Sequence, residues 1–309
     1  MATPIPNETA NSDIQATIAR LFVYPVKSCA GIDMSEVVLY DTGLDYDRAW
    51  MVVDADGVFV SQREQPRLAL VTPQFRRGEL ILRAPGMLAL HVNLDGVEGA
   101  ARVEVWDDQV PAFDMGPIAA QWFTDFLSLT GAGLPGANAA KMRLVRFDPE
   151  HNRLASKKWT GGLDAPYQFA DAFPLLVTST ASIESLNAKL AAAGHGAVGV
   201  ERFRPNIVLA GVSAHDEDRL QSYRIAATDT NGELEVILKP CKPCARCTVP
   251  NVNPATGVAS PEVNDTLQTY RANAQMDGAL TFGMNAIIEA GVGATLRVGQ
   301  KVSGQFKFD

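Results

Sequence analysis

Cysteine is scarce in this chain of 309 residues: there are four, and three of them fall within one stretch of seven. A disulfide framework spreads its cysteines so that distant segments can be tied together. The clustering of Cys241, Cys244 and Cys247 therefore points to metal or redox chemistry. Cys29 stands apart and reads as a small core residue. An excess of positive charge is also missing. The net charge is −8, so the chain lacks the broad basic face with which nucleic-acid binders neutralise phosphates, although net charge leaves room for one basic pocket. No apolar run approaches the ~18 residues a membrane span takes. Met1 to Gln15 is polar, with Pro4 and Pro6, and has neither the basic start nor the apolar core of a signal peptide. Neither a nucleic-acid partner nor a membrane is expected, residues 1–16 read as a disordered tail, and the protein is expected in the cytoplasm.

What is present is ordinary globular composition, 47% hydrophobic and 20% charged, enough for two domains or one large one. From residue 16 to about Trp106 the pattern is short alternating runs broken by turn residues, at Thr17–Tyr24, Ser35–Tyr40, Glu79–Arg83, Ala89–Leu94 and Val103–Trp106. Ala49–Val53 and Val58–Ser61 flank Asp54-Ala55-Asp56-Gly57, a hairpin signal. One helix follows, with Pro117 suited to its first turn and Ile118, Trp122, Phe126 and Leu129 on a shared face. Gly131–Ala140 is small and uncharged, and reads as a linker or long loop. Its formal G-x-G-x-x-G follows a helix instead of a strand, so it carries no dinucleotide reading.

The second half is mixed. Leu175–Thr178 reads as a strand, then a helix capped by Ser179 or Thr180, carrying Ile183, Leu186 and Leu190 inward and ending at Gly194. Asn206–Ala210 is a strand, and Tyr223–Ala227 pairs with Leu234–Leu238 across Asn231-Gly232. A short helix after Ser260-Pro261 and strands within 281–290 and 295–308 complete the chain.

Three segments carry chemistry. In Tyr24-Pro25-Val26-Lys27-Ser28 a strand stops at proline and offers an ammonium and a hydroxyl, a pair suited to an anion. In Arg202-Phe203-Arg204-Pro205-Asn206, Arg204 has the fork that grips phosphate and Asn206 both a donor and an acceptor for a heterocycle edge. Taken singly, each reads more readily as a surface loop. The third is Lys239-Pro240-Cys241-Lys242-Pro243-Cys244-Ala245-Arg246-Cys247, followed by Asn253-Pro254-Ala255-Thr256-Gly257. An iron–sulfur site wants a fourth cysteine soon after Cys247, and none follows. A zinc site needs a fourth ligand from Cys29, His91, His151, His195 or His215, and no two histidines have ligand spacing. One thiolate on a metal completed by an organic cofactor needs no further protein ligand, and Lys242 and Arg246 stand close enough in sequence to favour that thiolate.

Together, Val23-Tyr24-Pro25-Val26-Lys27-Ser28-Cys29, Phe203-Arg204-Pro205-Asn206-Ile207-Val208 and Lys242-Pro243-Cys244-Ala245-Arg246-Cys247 with Asn253-Pro254-Ala255-Thr256-Gly257 resemble the MOSC family, the molybdenum cofactor sulfurase C-terminal domain with its N-terminal β-barrel partner. Within it the resemblance is to YcbX-type proteins and the mitochondrial amidoxime-reducing component. It implies a mixed α/β, mostly β fold: a MOSC-type β-barrel core with flanking helices over 146–309, and a β-rich N-terminal domain over 17–145. It implies a molybdenum–molybdopterin cofactor with Cys247 as the metal's protein ligand. Lys27, Ser28, Arg48, Arg204, Asn206, Ala245, Arg246 and Asn285 match positions that hold the pterin and its phosphate. Ala245 stands where relatives often have serine, and Asn285 where mitochondrial relatives have tyrosine. Asp171, matching an acidic residue near the metal, is expected to be partly protonated and to deliver a proton. The implied activity is reduction of N-hydroxylated compounds (amidoximes, hydroxylamines, N-hydroxylated bases). No ferredoxin-type cysteine set appears before the sequence stops at Asp309, so electrons are expected from a separate ferredoxin, flavoprotein or cytochrome. The alternative is a sulfur-carrier or cofactor-handling protein with persulfide on Cys247.

Overall fold

A computed structural model of the chain describes residues 12–128, 140–229 and 232–307. Its centre is a closed ring of seven strands. In order around the ring these are Gly232–Ala245, Ala279–Ala290, Leu175–Ser179, Ile207–Ala210, Ile14–Val23, Lys301–Gly304 and Tyr223–Asp229, the last pairing with the first. All neighbours run antiparallel except Leu175–Ser179 beside Ile207–Ala210. Closure leaves the ring no free edge. Its interior is filled by alternating side chains, among them Ile18, Leu21, Val177, Leu209, Ile225, Val236, Leu238, Ala286 and Val302.

The first strand reaches back to Ile14, inside the stretch expected to be a tail, because Ile14 and Ala16 bury against the barrel core and pair with Lys301–Gly304. The N-terminal half thus supplies a stave to a barrel otherwise built from the C-terminal half. Ile32–Met34 pairs with that first strand and Glu36–Tyr40 with Thr295–Arg297, and much of the rest of that half forms two small sheets. One runs Trp50–Val53, Arg143–Phe147, Asp108–Asp114, Gly99–Val105, and the other Thr72–Arg76, Glu79–Arg83, Leu90–Asn93. Thr72–Arg76 and Asp108–Asp114 contain Pro73 and Pro111, which give the ladder no N–H and hide these strands from a pattern reading. The turn at Asp54–Gly57 forms, with Asp54 N donating to Val58 O at 2.9 Å. Beyond it the chain makes only isolated bridges, such as Phe59 to Val53, and Trp50–Val53 takes Arg143–Phe147 as its strand partner.

The helix Pro117–Ser128 buries Ala119, Trp122, Phe123, Phe126 and Leu127 against Trp50, Leu68 and Leu144. Ile118, expected on that face, is 77% exposed: the buried stripe is centred one residue further along. Leu129 lies outside the described residues, as do Gly131 to Ala139 and the turn residues Thr230 and Asn231. The helix Thr180–Ala192 starts at Ser179, whose hydroxyl accepts from Ser182 N at 3.1 Å, and passes into a left-handed Gly194. It packs with Glu262–Gln268 over Phe203 and Phe282, closing one side of the barrel.

Candidate functional site

The first strand leaves the barrel at Val23, and Tyr24 to Ser28 is then stitched to the neighbouring small sheet: Lys27 N donates to Trp50 O at 2.8 Å and Arg48 N to Tyr24 O at 2.8 Å. The Lys27 side chain is thereby turned inward, 6% exposed, with Nζ bonded to Phe169 O at 2.8 Å and Asp171 Oδ1 at 2.5 Å. Burial pushes the Lys27 ammonium pKa below its ordinary value, and Asp171 only partly restores it. The Tyr24 ring lies between two guanidinium groups, Arg48 at 4.4 Å and Arg204 at 4.3 Å from its centroid. Arg48 is held by Asp47 Oδ2 at 2.5 Å and Arg204 O at 3.0 Å. Arg204 donates from Nη1 to Cys29 O at 2.6 Å, while its buried Nη2 has no partner. Burial, with Arg48 beside it, pulls the Arg204 pKa down to about 10.

The third segment arrives on the strand Gly232–Ala245, whose ladder to Ala279–Ala290 shifts register between Pro240 and Lys242 and again between Pro243 and Ala245. Such bulges re-aim side chains at a barrel rim. Arg246 then locks the cysteine turn down. Its Nε and Nη2 donate to Phe282 O at 2.9 and 2.5 Å, and Nη1 to Phe203 O at 2.9 Å. Next to Phe282, Gly283 is left-handed, at a point where a Cβ would stand 2.8 Å from Val177 O. Cys247 is exposed. Asn264 Nδ2 holds its carbonyl at 3.1 Å.

These pieces converge. Lys27, Ser28, Arg48, Asp171, Arg204, Asn206, Ala245, Arg246, Cys247 and Asn285 all line one open cleft. Their commitments differ, however. Asn206 gives its amide to the scaffold, Oδ1 accepting from Leu176 N at 3.1 Å and Nδ2 donating to Phe22 O at 3.3 Å. Asn285 lies beside Cys244, whose thiol pKa burial pushes up. Burial likewise pushes the Cys29 thiol up to about 12, as suits a residue of the core. Asp171 does not match the expected partly protonated acid. The protein mass around the cleft, by displacing water, would raise its pKa, but the Lys27 ammonium and hydrogen bonds from Lys27 and Trp106 outweigh that, holding the carboxyl well below the usual carboxylate range. Among the described residues no three His, Cys, Asp or Glu side chains cluster as a metal site.

Residues 15–130 match the MOSC N-terminal beta barrel domain and residues 164–303 the MOSC domain. The chain is 35% identical over 264 residues to the mitochondrial amidoxime reducing component 2 of Bos taurus, covering 82% of this chain and 72% of that protein. It is 34% identical over 264 residues to the Homo sapiens component 2, with the same coverage of 82% and 72%. Against the Mus musculus component 1 it is 32% identical over 300 residues, 93% of this chain and 81% of that one. The chain belongs to the MOSC family.

The MOSC cleft also has a wall that the sequence reading passed over. Trp106 was expected in a strand, but the strand ends at Val105 and Trp106 occupies a tight turn at φ 56. Its indole Nε1 donates to Asp171 Oδ1 at 3.2 Å, Phe59 packs against it at 5.0 Å, and Arg63 lies 4.6 Å over its ring. A bulky aromatic next to Asp107, where a hairpin turn favours asparagine or glycine, was the available signal. Ser28, Arg48, Trp106 and Arg204 are four of the eight non-glycine residues with positive φ among the described residues, and all four line the cleft. Each costs on the order of 1 kcal/mol, and such costs gather where side-chain aim matters more than backbone comfort.

Proposed function

We propose that this protein is a molybdenum-cofactor-dependent reductase of N-hydroxylated compounds, drawing electrons from a separate partner protein. The supporting observation is the cleft in which Lys27, Arg48, Arg204 and Cys247, from distant parts of the chain, meet. The donor set fits the cofactor. The unpartnered, buried Nη2 of Arg204 is suited to a phosphate oxygen, Lys27 and Ser28 sit beside it, and one exposed thiol faces the cleft. A zinc module would need three or four clustered ligands, which the described residues lack.

When bound, the cofactor supplies the two-electron chemistry of N–O cleavage. In this reading Cys247 is the protein's sulfur ligand, and Arg48, Arg204 and Arg246 orient the pterin and its phosphate. Arg246 acts through the backbone it pins, because its guanidinium is committed to carbonyls. Reducing N–OH to N–H consumes two electrons and two protons and releases water. Lys27 holds the Asp171 carboxyl well below the usual carboxylate range, so Asp171 passes a proton on only as it receives one, from Lys27 or from solvent at the mouth of the cleft. The relatives' names, amidoxime reducing components, support amidoximes as the substrate class.

The test is elemental analysis of the wild type beside Cys247→Ala, both expressed in a host that makes the cofactor, with reduction of benzamidoxime by an artificial electron donor. Near-stoichiometric molybdenum and activity in the wild type, both lost in the variant, are expected. Equal molybdenum in the two proteins overturns the ligand assignment, and a loaded wild type that reduces no N-hydroxylated compound overturns the reductase.

A further inference from the structure

Asp171 is an uneven carboxylate. Both of its donors, Lys27 Nζ at 2.5 Å and Trp106 Nε1 at 3.2 Å, bond to Oδ1. Oδ2 takes no hydrogen bond from any described residue, and the side chain is 72% exposed although its partner Lys27 is only 7% exposed. The exposed part faces the cleft that Cys247 lines. An acceptor fixed from behind by two donors and left bare in front is a preorganised anchor for an incoming N–H. Beside it stands the Trp106 ring, 41% exposed, with Phe59 tilted against it and Arg63 over it, leaving part of an aromatic surface on which a conjugated group can lie.

We propose that Asp171 Oδ2 and the Trp106 face form the substrate subsite, selecting planar N-hydroxylated amidines, guanidines and amino-heterocycles that carry an N–H beside the N–OH. This deepens the reductase reading above and rests on it. In such compounds the amino group and the N–OH share one conjugated carbon. One N–H on Oδ2 with the plane against Trp106 fixes the N–OH group within the cleft that Cys247 lines. Both donors to Oδ1 are already in place, so the anchor is a single hydrogen bond. A pyridine N-oxide, which has no N–H, lies against Trp106 without it. The deoxygenated product is an amidinium, whose positive charge strengthens the same contact, so the amidine product is a competitive inhibitor.

The experiment uses molybdenum-loaded protein, with metal content measured for every sample. Wild type and Asp171→Asn are titrated with benzamidine by calorimetry, and kcat/KM is measured for benzamidoxime and for pyridine N-oxide. In Asp171→Asn the carbonyl can keep Lys27 and Trp106, but the amide NH2 replaces the free acceptor with a donor. Benzamidine is expected to bind about tenfold or more weakly, and the preference for benzamidoxime over pyridine N-oxide to fall by a similar factor. A variant that binds benzamidine as the wild type does, or that loses both substrates by the same factor, overturns the anchor. Wild-type protein that binds benzamidine but reduces neither compound would refute the reductase and leave the anchor standing, so the two failures are distinct. Trp106→Leu, which leaves Oδ2 in place, is expected to weaken benzamidine more than acetamidine. Equal weakening removes the aromatic wall from the subsite.

Discussion

Lys27 Nζ lies 2.5 Å from Asp171 Oδ1, joining side chains 144 positions apart. The lysine is buried and the aspartate open to the cleft, so one end of the pair is fixed by the fold and the other looks outward. This asymmetry decides what each residue contributes.

Removing the buried end should affect the site more than the fold. Lys27→Met takes out a desolvated cation and leaves Asp171 in contact with water, so no charge is stranded in the interior. The expected change in unfolding free energy is within about 1 kcal/mol, measured by urea denaturation. Molybdenum content of the purified variant, by elemental analysis, is expected to fall severalfold. A variant with full metal content argues against Lys27 as a cofactor residue.

Arg246 should behave in the opposite way. Its three hydrogen bonds to Phe282 O and Phe203 O tie the cysteine turn to the floor of the cleft. Arg246→Ala leaves the carbonyls of two buried residues, Phe203 and Phe282, short of a donor, at a cost of about 2–4 kcal/mol. Thermal and urea denaturation of the variant read this. Wild-type stability would mean that the turn is held by other contacts.

The helix Pro117–Ser128 provides a test of the fold itself. Ile118→Gln, at a position 77% exposed, is expected to change stability by less than about 0.5 kcal/mol. Phe123→Ala, at a position 0% exposed, should cost about 3–5 kcal/mol. Equal effects in denaturant melts would put the wrong face of the helix inward.

His215 makes stability depend on pH. Its ring packs 5.8 Å from both Tyr270 and Phe282, and burial, with Arg271 and then Lys189 adding to it against Asp218 and Asp216, pulls its pKa down to about 4 from the ordinary 6.5. Between those values the unfolded chain binds the proton and the folded one does not. The stabilisation is therefore complete above pH about 6.5 and drains away as the pH falls towards 4. Comparing urea midpoints at pH 7 and 4.5, His215→Leu should lose about 1–2 kcal/mol less than the wild type over that interval. Parallel losses would move the titration to another group.

The alternating runs were readable because burial on one face of a strand imposes a period of two, as in Leu90–Asn93 with Leu90 and Val92 inward. Thr72–Arg76 and Asp108–Asp114 were not, since Pro73 and Pro111 are tolerated only where the ladder needs no N–H, a condition set by neighbouring strands. Ile118 and Leu129 share the period of Trp122 and Phe126, but which of several adjacent stripes turns inward depends on the surface waiting for it. At the site the motifs were legible as residue types. Trp106 was missed because its role arises from a turn that aims it at a carboxylate 65 positions away.

By itself the sequence determined which groups are available: one clustered set of thiols, basic residues outnumbered by acidic ones, and segments whose order marks the family. Chemistry resides in side-chain types, and these survive in a one-dimensional reading. Only the tertiary structure decided how each group is used. It committed Arg246 and Asn206 to backbone, left one nitrogen of Arg204 and one oxygen of Asp171 uncommitted, and kept Asp171 ionised. Protonation and hydrogen-bond capacity depend on distance and burial, which closing the barrel sets and the order of residues along the chain does not.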